Sequence, residues 1–227
     1  MSRTLISKAD ALALTGDYQG AEKAFRDVNS SSKKVKVVAL IHLADMYMRI
    51  GNEDKLEKVI SEIDPLLSVL DGDKEKEEFD KGKHLLAIKA LKNGSHKKAE
   101  EMLGKLITTI SSIYDYRLEG KPIYHDIYRS LAACEFKLGR SGPALSKLNE
   151  TRKLQLACEG QTHNVAMTET MIQTVCRSSS NKEEYREELQ RSQERLKEMS
   201  SEIDSNQGRL SPGSVTNLNS SVISINM

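Results

Sequence analysis

The sequence of 227 residues predicts an all-α protein built from a row of antiparallel helical hairpins. The first observation is the stretch ALALTGDYQGAEKAF at residues 11–25, in which one amphipathic helical pattern stops at Gly16 and another begins almost at once. Glycine readily adopts the left-handed conformation that ends a helix. The second observation is that the same punctuation recurs at Gly51, Gly94 and Gly139. We therefore expect the chain to reverse direction in the same way at each of these glycines.

The third observation is that the surroundings of the four glycines also repeat. An alanine stands seven residues before each glycine, an alanine or leucine stands five residues after it, and a bulky residue stands nine after it. These positions are Ala9, Ala44, Ala87 and Ala132, then Ala21, Leu56, Ala99 and Ala144, and finally Phe25, Ile60, Leu103 and Leu148. Small side chains let two helices approach closely, and the bulky residue one turn later fills the groove beside them. The spacing thus predicts close packing within each hairpin.

The pattern resembles that of the tetratricopeptide repeat (TPR) family. That family has a small residue in its first helix, Gly-Asp-Tyr at the turn, and alanine and an aromatic residue in its second helix, which GDYQGAEKAF at residues 16–25 matches best. The resemblance implies a right-handed helical-hairpin solenoid over residues 1–204. Its repeats are expected at about residues 2–35, 37–70, 80–118 and 125–158, followed by a degenerate pair at 165–204.

The later repeats are longer than the plain repeat. Successive glycines are 35, 43 and 45 residues apart, against 34 for the plain repeat, and we expect the extra length between helix pairs. Residues 151–168, TRKLQLACEGQTHNVAMT, look like the linker of the 42-residue variant found in kinesin light chains, although the proline of that variant is missing. The charged stretch at 71–79 is expected to be either a loop or an extension of the third helix pair.

The last predicted pair consists of helices at 165–177 and 182–203, with Ser180 in place of the turn glycine. The second helix is heavily charged, which is typical of a terminal cap whose outer face meets water. It keeps an apolar stripe that can pack on the fourth repeat or pair with another helix. Residues 205–227 are rich in Ser and Asn and are predicted to be a disordered tail, in which Ser211 before Pro212 is a candidate phosphorylation site.

Composition excludes several classes of function. The net charge is +1, which gives no general attraction to nucleic acid or anionic membranes, and tryptophan is absent. No apolar stretch approaches the roughly 20 residues of a membrane span. Three widely spaced cysteines suit neither a disulfide framework nor a zinc site. We therefore expect a cytoplasmic protein with no nucleic-acid partner, no membrane insertion and reduced thiols.

The sequence also lacks recognisable catalytic signatures. The five histidines have no His-Glu-x-x-His spacing, and neither a Gly-Lys-Ser/Thr loop nor a Gly-x-Ser-x-Gly elbow occurs. The sequence therefore predicts no enzyme, no catalytic residue, no metal site and no cofactor.

The resemblance implies that the first helices line a concave groove that binds a peptide or a partner helix of another protein. The carboxylate clamp of some members is not expected, because four of its five positions, all but Lys81, carry the wrong residue type. An alternative is a structural subunit that packs through the solenoid edges or the C-terminal helix. The candidate groove residues are Met48, Arg49, Lys81, His84, Ile88, Lys92, Arg129, Phe136 and Lys137.

Overall fold

The computed structural model describes residues 2–28, 32–70, 76–114, 122–159, 163–180 and 182–207. Within them the chain forms ten α-helices, one short 3-10 helix at Asp64–Val69 and no strand. The helices are α1 (Ser2–Leu14), α2 (Tyr18–Arg26), α3 (Lys33–Arg49), α4 (Glu53–Ile63), α5 (Lys76–Lys92), α6 (His96–Tyr114), α7 (Pro122–Lys137), α8 (Ser141–Glu159), α9 (His163–Ser178) and α10 (Arg186–Gln207). Two compact units result, the first with α1 to α5 and the second with α6 to α10. The prediction of an all-α chain is confirmed.

The predicted turn glycines all adopt the left-handed conformation. Their φ angles are +86° at Gly16, +68° at Gly51, +74° at Gly94 and +78° at Gly139. At the first turn the Gly16 amide donates to the carbonyl of Ala13, which satisfies a carbonyl that the end of α1 would otherwise leave open. Only glycine adopts such angles without strain, so each helix ends at the predicted place.

All twelve contact positions around the glycines are buried, with exposed fractions between 0 and 4%. Asp17 also caps the second helix of the first hairpin, because its side chain accepts a hydrogen bond of 2.9 Å from the amide of Gly20. Helices α1 and α2, α3 and α4, and α7 and α8 contact each other, so the prediction of close packing is confirmed at the turns of Gly16, Gly51 and Gly139.

The first unit is centred on α3, which contacts α1, α2, α4, the 3-10 helix and α5. Its residues Val37, Leu43 and Ala44 are fully enclosed, together with Val59 and Ile63 of α4. Contact on so many sides leaves only a narrow strip of α3 accessible, and this strip decides which of its residues a partner could touch.

The second unit has a mixed core. Ile127, Leu148 and Ile172 are fully buried, but so are the polar side chains of Gln155 and Glu169. Buried polar groups are costly unless they are hydrogen-bonded, so this core depends on specific pairing as well as on apolar contact.

Between Gly51 and Gly94 the extra length lies between α4 and α5, where the 3-10 helix occurs, as predicted. After Gly94 it lies inside a helix, which corrects the prediction for the later repeats. Helices α6 and α8 each have 19 residues, against nine in α2. Residues 151–159, predicted as linker, belong to α8, because no glycine or proline interrupts the chain between Pro143 and Gly160.

Other boundaries also differ in detail from the sequence expectation. Helix α5 begins at Lys76, so that part of the 71–79 stretch extends the third pair. Helix α10 begins at Arg186 and runs to Gln207, three residues beyond the expected limit of 204. The two units divide between Asn93 and Gly94, inside the predicted third repeat. The rest of the predicted tail, residues 208–227, lies outside the described residues, and the predicted domain limits stay a prediction.

Candidate protein-binding surfaces

In the first unit, Met48 and Arg49 lie at the C-terminal end of the accessible strip of α3. Met48 is half-buried and Arg49 is exposed, and the guanidinium lies 2.7 Å from the carboxylate of Asp45 one turn earlier. Farther along the same strip, Nδ1 of His42 lies 3.0 Å from a carboxylate oxygen of Asp10 on α1. The strip thus presents two polar pairs and, at its C-terminal end, the apolar side chain of Met48.

The four predicted groove residues of α5 have different environments. His84 and Ile88 are each only 3% exposed, so they do not form accessible surface. Lys81 pairs with Glu77 at 2.9 Å, and Lys92 pairs with Glu53 of α4 at 3.2 Å. The predicted cations of this unit therefore already have carboxylate partners.

In the second unit, Arg129 is buried rather than displayed, with 7% exposure. Its guanidinium donates a 3.1 Å hydrogen bond to the carbonyl of Asn164 and another bond to Asp126. It thereby ties α7 to the beginning of α9. Phe136 and Lys137, at the end of α7, are half-buried, and Phe136 packs on an apolar cluster that includes Ile172 of α9.

Helix α9 contributes accessible residues that the sequence analysis did not place in the groove. Met167, Thr170, Met171 and Thr174 are all half-buried along one strip. The hydroxyls of Thr170 and Thr174 donate 2.9 Å hydrogen bonds to carbonyls four residues earlier in their own helix. Because these hydroxyls are satisfied internally, the threonine methyl groups remain for contact with a partner. A methionine pair four residues apart was the sequence signal that could have found this strip.

We call one set of accessible residues on these two helices the α7–α9 surface. They are Phe136, Lys137, Met167, Thr170, Met171 and Thr174. Lys137 and Arg177 both lie in the last helical turn of their helices, and Arg177 donates a 3.0 Å hydrogen bond to Gln173. The surface is consequently apolar along its middle and basic at one end.

Neither a family model nor a curated protein matches this chain. Solved structures do match it. Nearly identical TPR-like repeats named as a Podosopora anserina kinesin light chain share 16% identity over 89% of this chain and 96% of that one, with a TM-score of 0.59. BtubC from P. vanneervenii shares 16% identity over 92% and 82%, with a TM-score of 0.56.

A Rap protein in complex with Competence and Sporulation Factor superposes with a TM-score of 0.65 and 12% identity over 89% of this chain. This chain has a TPR-like fold. It spans about half, 54%, of the length of the Rap chain, and at these identities the likeness concerns the fold alone.

The far side of α9 in this TPR-like chain carries a network of ion pairs. Glu169, with 1% side-chain exposure, lies 2.6 Å and 3.2 Å from two nitrogens of Arg195 on α10 and 3.5 Å from Arg152 on α8. Glu188 lies 3.0 Å from each of the two arginines. Because the network joins three helices, it fastens α10 to both α8 and α9.

An open cleft of about 280 Å³ occurs in the second unit. Arg140, one of its lining residues, is held at 2.6 Å by Glu100 and at 2.7 Å by Glu135. No group of three or more His, Cys, Asp or Glu side chains able to hold a metal ion occurs among the residues that the structure describes. Across the same residues, no helix is both long and apolar enough to cross a membrane.

Proposed function

We propose that this protein is a non-enzymatic interaction scaffold, or adaptor. It binds a peptide segment or a helix of another protein on the accessible face of the first helix of its hairpins. The observation that carries the proposal is the α7–α9 surface, where half-buried Phe136, Met167 and Met171 lie beside threonines whose hydroxyls are already bonded. Aromatic residues and methionines are enriched where proteins meet. The complex of the Rap protein with Competence and Sporulation Factor supports the same type of function.

The residues that contact the partner follow from their accessibility. In the first unit, Met48, Arg49, Lys81 and Lys92 are the candidates, whereas buried His84, Ile88 and Arg129 act by shaping the helices around them. In the second unit, Phe136 and Lys137 are joined by the strip of α9. We place this activity in the cytoplasm, where disulfides are rare, because no disulfide joins Cys134, Cys158 or Cys176.

Binding measurements on the full chain test this function. A partner is first identified by affinity purification with mass spectrometry, and its dissociation constant is then measured for the wild type and Met171→Glu. A buried charge in an apolar contact should weaken binding at least tenfold. Arg191→Ala, on the outer face of α10, is the matched control and should bind like the wild type. Equal affinity of all three proteins, with circular dichroism unchanged, would move the binding site away from the α7–α9 surface.

A second function, a structural subunit that packs through the solenoid edge, is favoured by one observation. Three of the four most exposed large apolar side chains among the described residues lie in the first hairpin: Leu5 at 44%, Leu14 at 78% and Tyr18 at 42%. Large exposed apolar side chains are the type of group through which subunits pack. Sedimentation velocity at micromolar concentration should then give a mass above 25.4 kDa that Leu14→Glu lowers. A monomer at every concentration would exclude self-assembly.

A further inference from the structure

We propose that the C-terminal segment of this chain, residues 208–227, docks on the chain's own α7–α9 surface and competes there with the protein partner. The inference rests on the proposed function, since it names an internal competitor for the same surface. Three independent features carry it, namely the composition of the segment, the chemistry of the surface and the distance between them.

The segment has an unusual composition for a solvated tail. Arg209 is its last charged residue, and the 18 residues from Leu210 to Met227 have no charged side chain. Segments that remain unbound in water are typically highly charged and poor in apolar residues. The apolar residues here are Leu210, Val215, Leu218, Val222, Ile223, Ile225 and Met227. Such a segment gains free energy by covering its aliphatic side chains.

The α7–α9 surface suits an uncharged aliphatic ligand. Its middle consists of Phe136, Met167, Met171 and the methyl groups of two threonines, so an incoming apolar segment leaves no charge unpaired. Methionine side chains adapt to irregular aliphatic shapes, which permits a ligand rich in Val, Ile and Leu. The Ser and Asn side chains of the segment supply oxygens for the basic end, where Arg177 lies.

The segment leaves α10 within reach of this surface. Helices α9 and α10 run antiparallel, because Ser192 donates to the carbonyl of Glu169 and Arg195 pairs with the Glu169 carboxylate. In this register the start of α9 lies opposite residues near 200, so Gln207 ends about 10 Å beyond it at 1.5 Å per residue. The middle of the surface lies about 10–15 Å farther along α9 in the other direction. Twenty residues span up to about 70 Å when extended and about 30 Å when helical, so the segment reaches the surface in either form.

The covalent link makes even weak docking effective. Short flexible linkers give effective concentrations in the millimolar range. A segment with an intrinsic dissociation constant of about 0.1 mM would therefore cover the surface in about nine molecules of ten and weaken the partner's apparent affinity about tenfold. The docked tail thus sets a minimum affinity that a partner needs in order to bind this surface.

Methyl NMR of the full chain, labelled at its eight methionines, tests the docking without any partner. The informative variant is Leu218→Ser/Val222→Ser, and the matched control, Asn217→Ser/Asn219→Ser, keeps every apolar residue. We expect the apolar variant to shift the resonances of Met167 and Met171 at every protein concentration. The resonance of buried Met46 should not move, and the control should match the wild type.

Two outcomes would overturn the proposal. Identical Met167 and Met171 resonances in the wild type and the apolar variant would show that the segment docks elsewhere or nowhere. Shifts that vanish on dilution would assign the contact to a second copy of the chain. Measurements of partner affinity separate the two proposals. If Met171→Glu weakens partner binding but the tail variant leaves the methionine resonances unchanged, the proposed function is retained and the docking is rejected. If the tail variant shifts those resonances but Met171→Glu leaves partner affinity unchanged, the docking is retained and the partner binds elsewhere.

Discussion

Replacing Glu169 with glutamine tests whether the buried ion network fastens α10. The change preserves the shape of the side chain and removes the charge that faces Arg195 at 2.6 Å and Arg152 at 3.5 Å. Removing one partner of a buried pair typically costs 3–5 kcal/mol. Glu188 stays 3.0 Å from both arginines, and the Arg195 side chain is 28% exposed to water. The positive charges of the arginines therefore remain partly balanced. We expect the free energy of local unfolding of α10 to fall by about 2–3 kcal/mol.

Hydrogen–deuterium exchange of the full chain measures this loss directly. If α10 refolds faster than its open amides exchange, a penalty of that size should speed the exchange of its amides roughly 30- to 150-fold. The amides of α1 to α4 should keep their wild-type rates. The matched control is Glu187→Gln on the same helix, whose partner Arg191 lies at 3.1 Å with both side chains mostly exposed. Exposed pairs contribute little, so the control should exchange like the wild type.

The reasoning would be refuted by equal exchange rates in Glu169→Gln and Glu187→Gln. In that case the apolar stripe of α10, where Met199 is 6% exposed and Leu189 half-buried, would hold the helix by itself. A uniform rise in exchange across both units would also refute it, because the predicted effect is confined to the second unit.

Two further predictions concern glycines and thiols. Gly16→Ala should lower the free energy of unfolding in urea by about 1–2 kcal/mol, because φ is +86° and nothing lies within 4 Å of the new Cβ, so only the backbone penalty acts. Gly104→Ala, inside α6 and equally unobstructed, should raise it by about 1 kcal/mol; the same sign for both would contradict the reasoning. Exposed Cys158 should be alkylated by iodoacetamide at pH 8. Cys134 and Cys176 should stay unmodified, because burial raises their pKa values to about 12 and about 11; three adducts on the native chain by mass spectrometry would be the contrary result.

The hairpins were predictable because their determinants are close in sequence. The φ angle at Gly139 and the burial of Ala132 and Ala144 depend on one turn and the two helices that flank it. Helical periodicity then places both alanines on the shared face. Helix ends were less predictable where no breaker occurs, and α8 accordingly continued through residues expected to form a linker.

The candidate surface was only partly predictable. Phe136 and Lys137 were placed by the repeat register, but Met167 and Met171 were not, because a degenerate turn at Ser180 weakens that register. The register also does not show how much of the first helix of a hairpin is covered by neighbouring helices. For that reason Ile88, which is buried, was expected at the surface.

By itself, the sequence determined the positions of the helical turns and the residues that are buried around each turn, since these follow from side-chain size and backbone freedom over fewer than 20 residues. Only the tertiary structure decided which polar groups are buried and which helix faces remain accessible. The bond between Arg129 and Asn164 and the pairing of Glu169 with Arg195 join residues 35 and 26 positions apart. Such pairs form only when separate helices are brought together, and no local pattern in the chain specifies them.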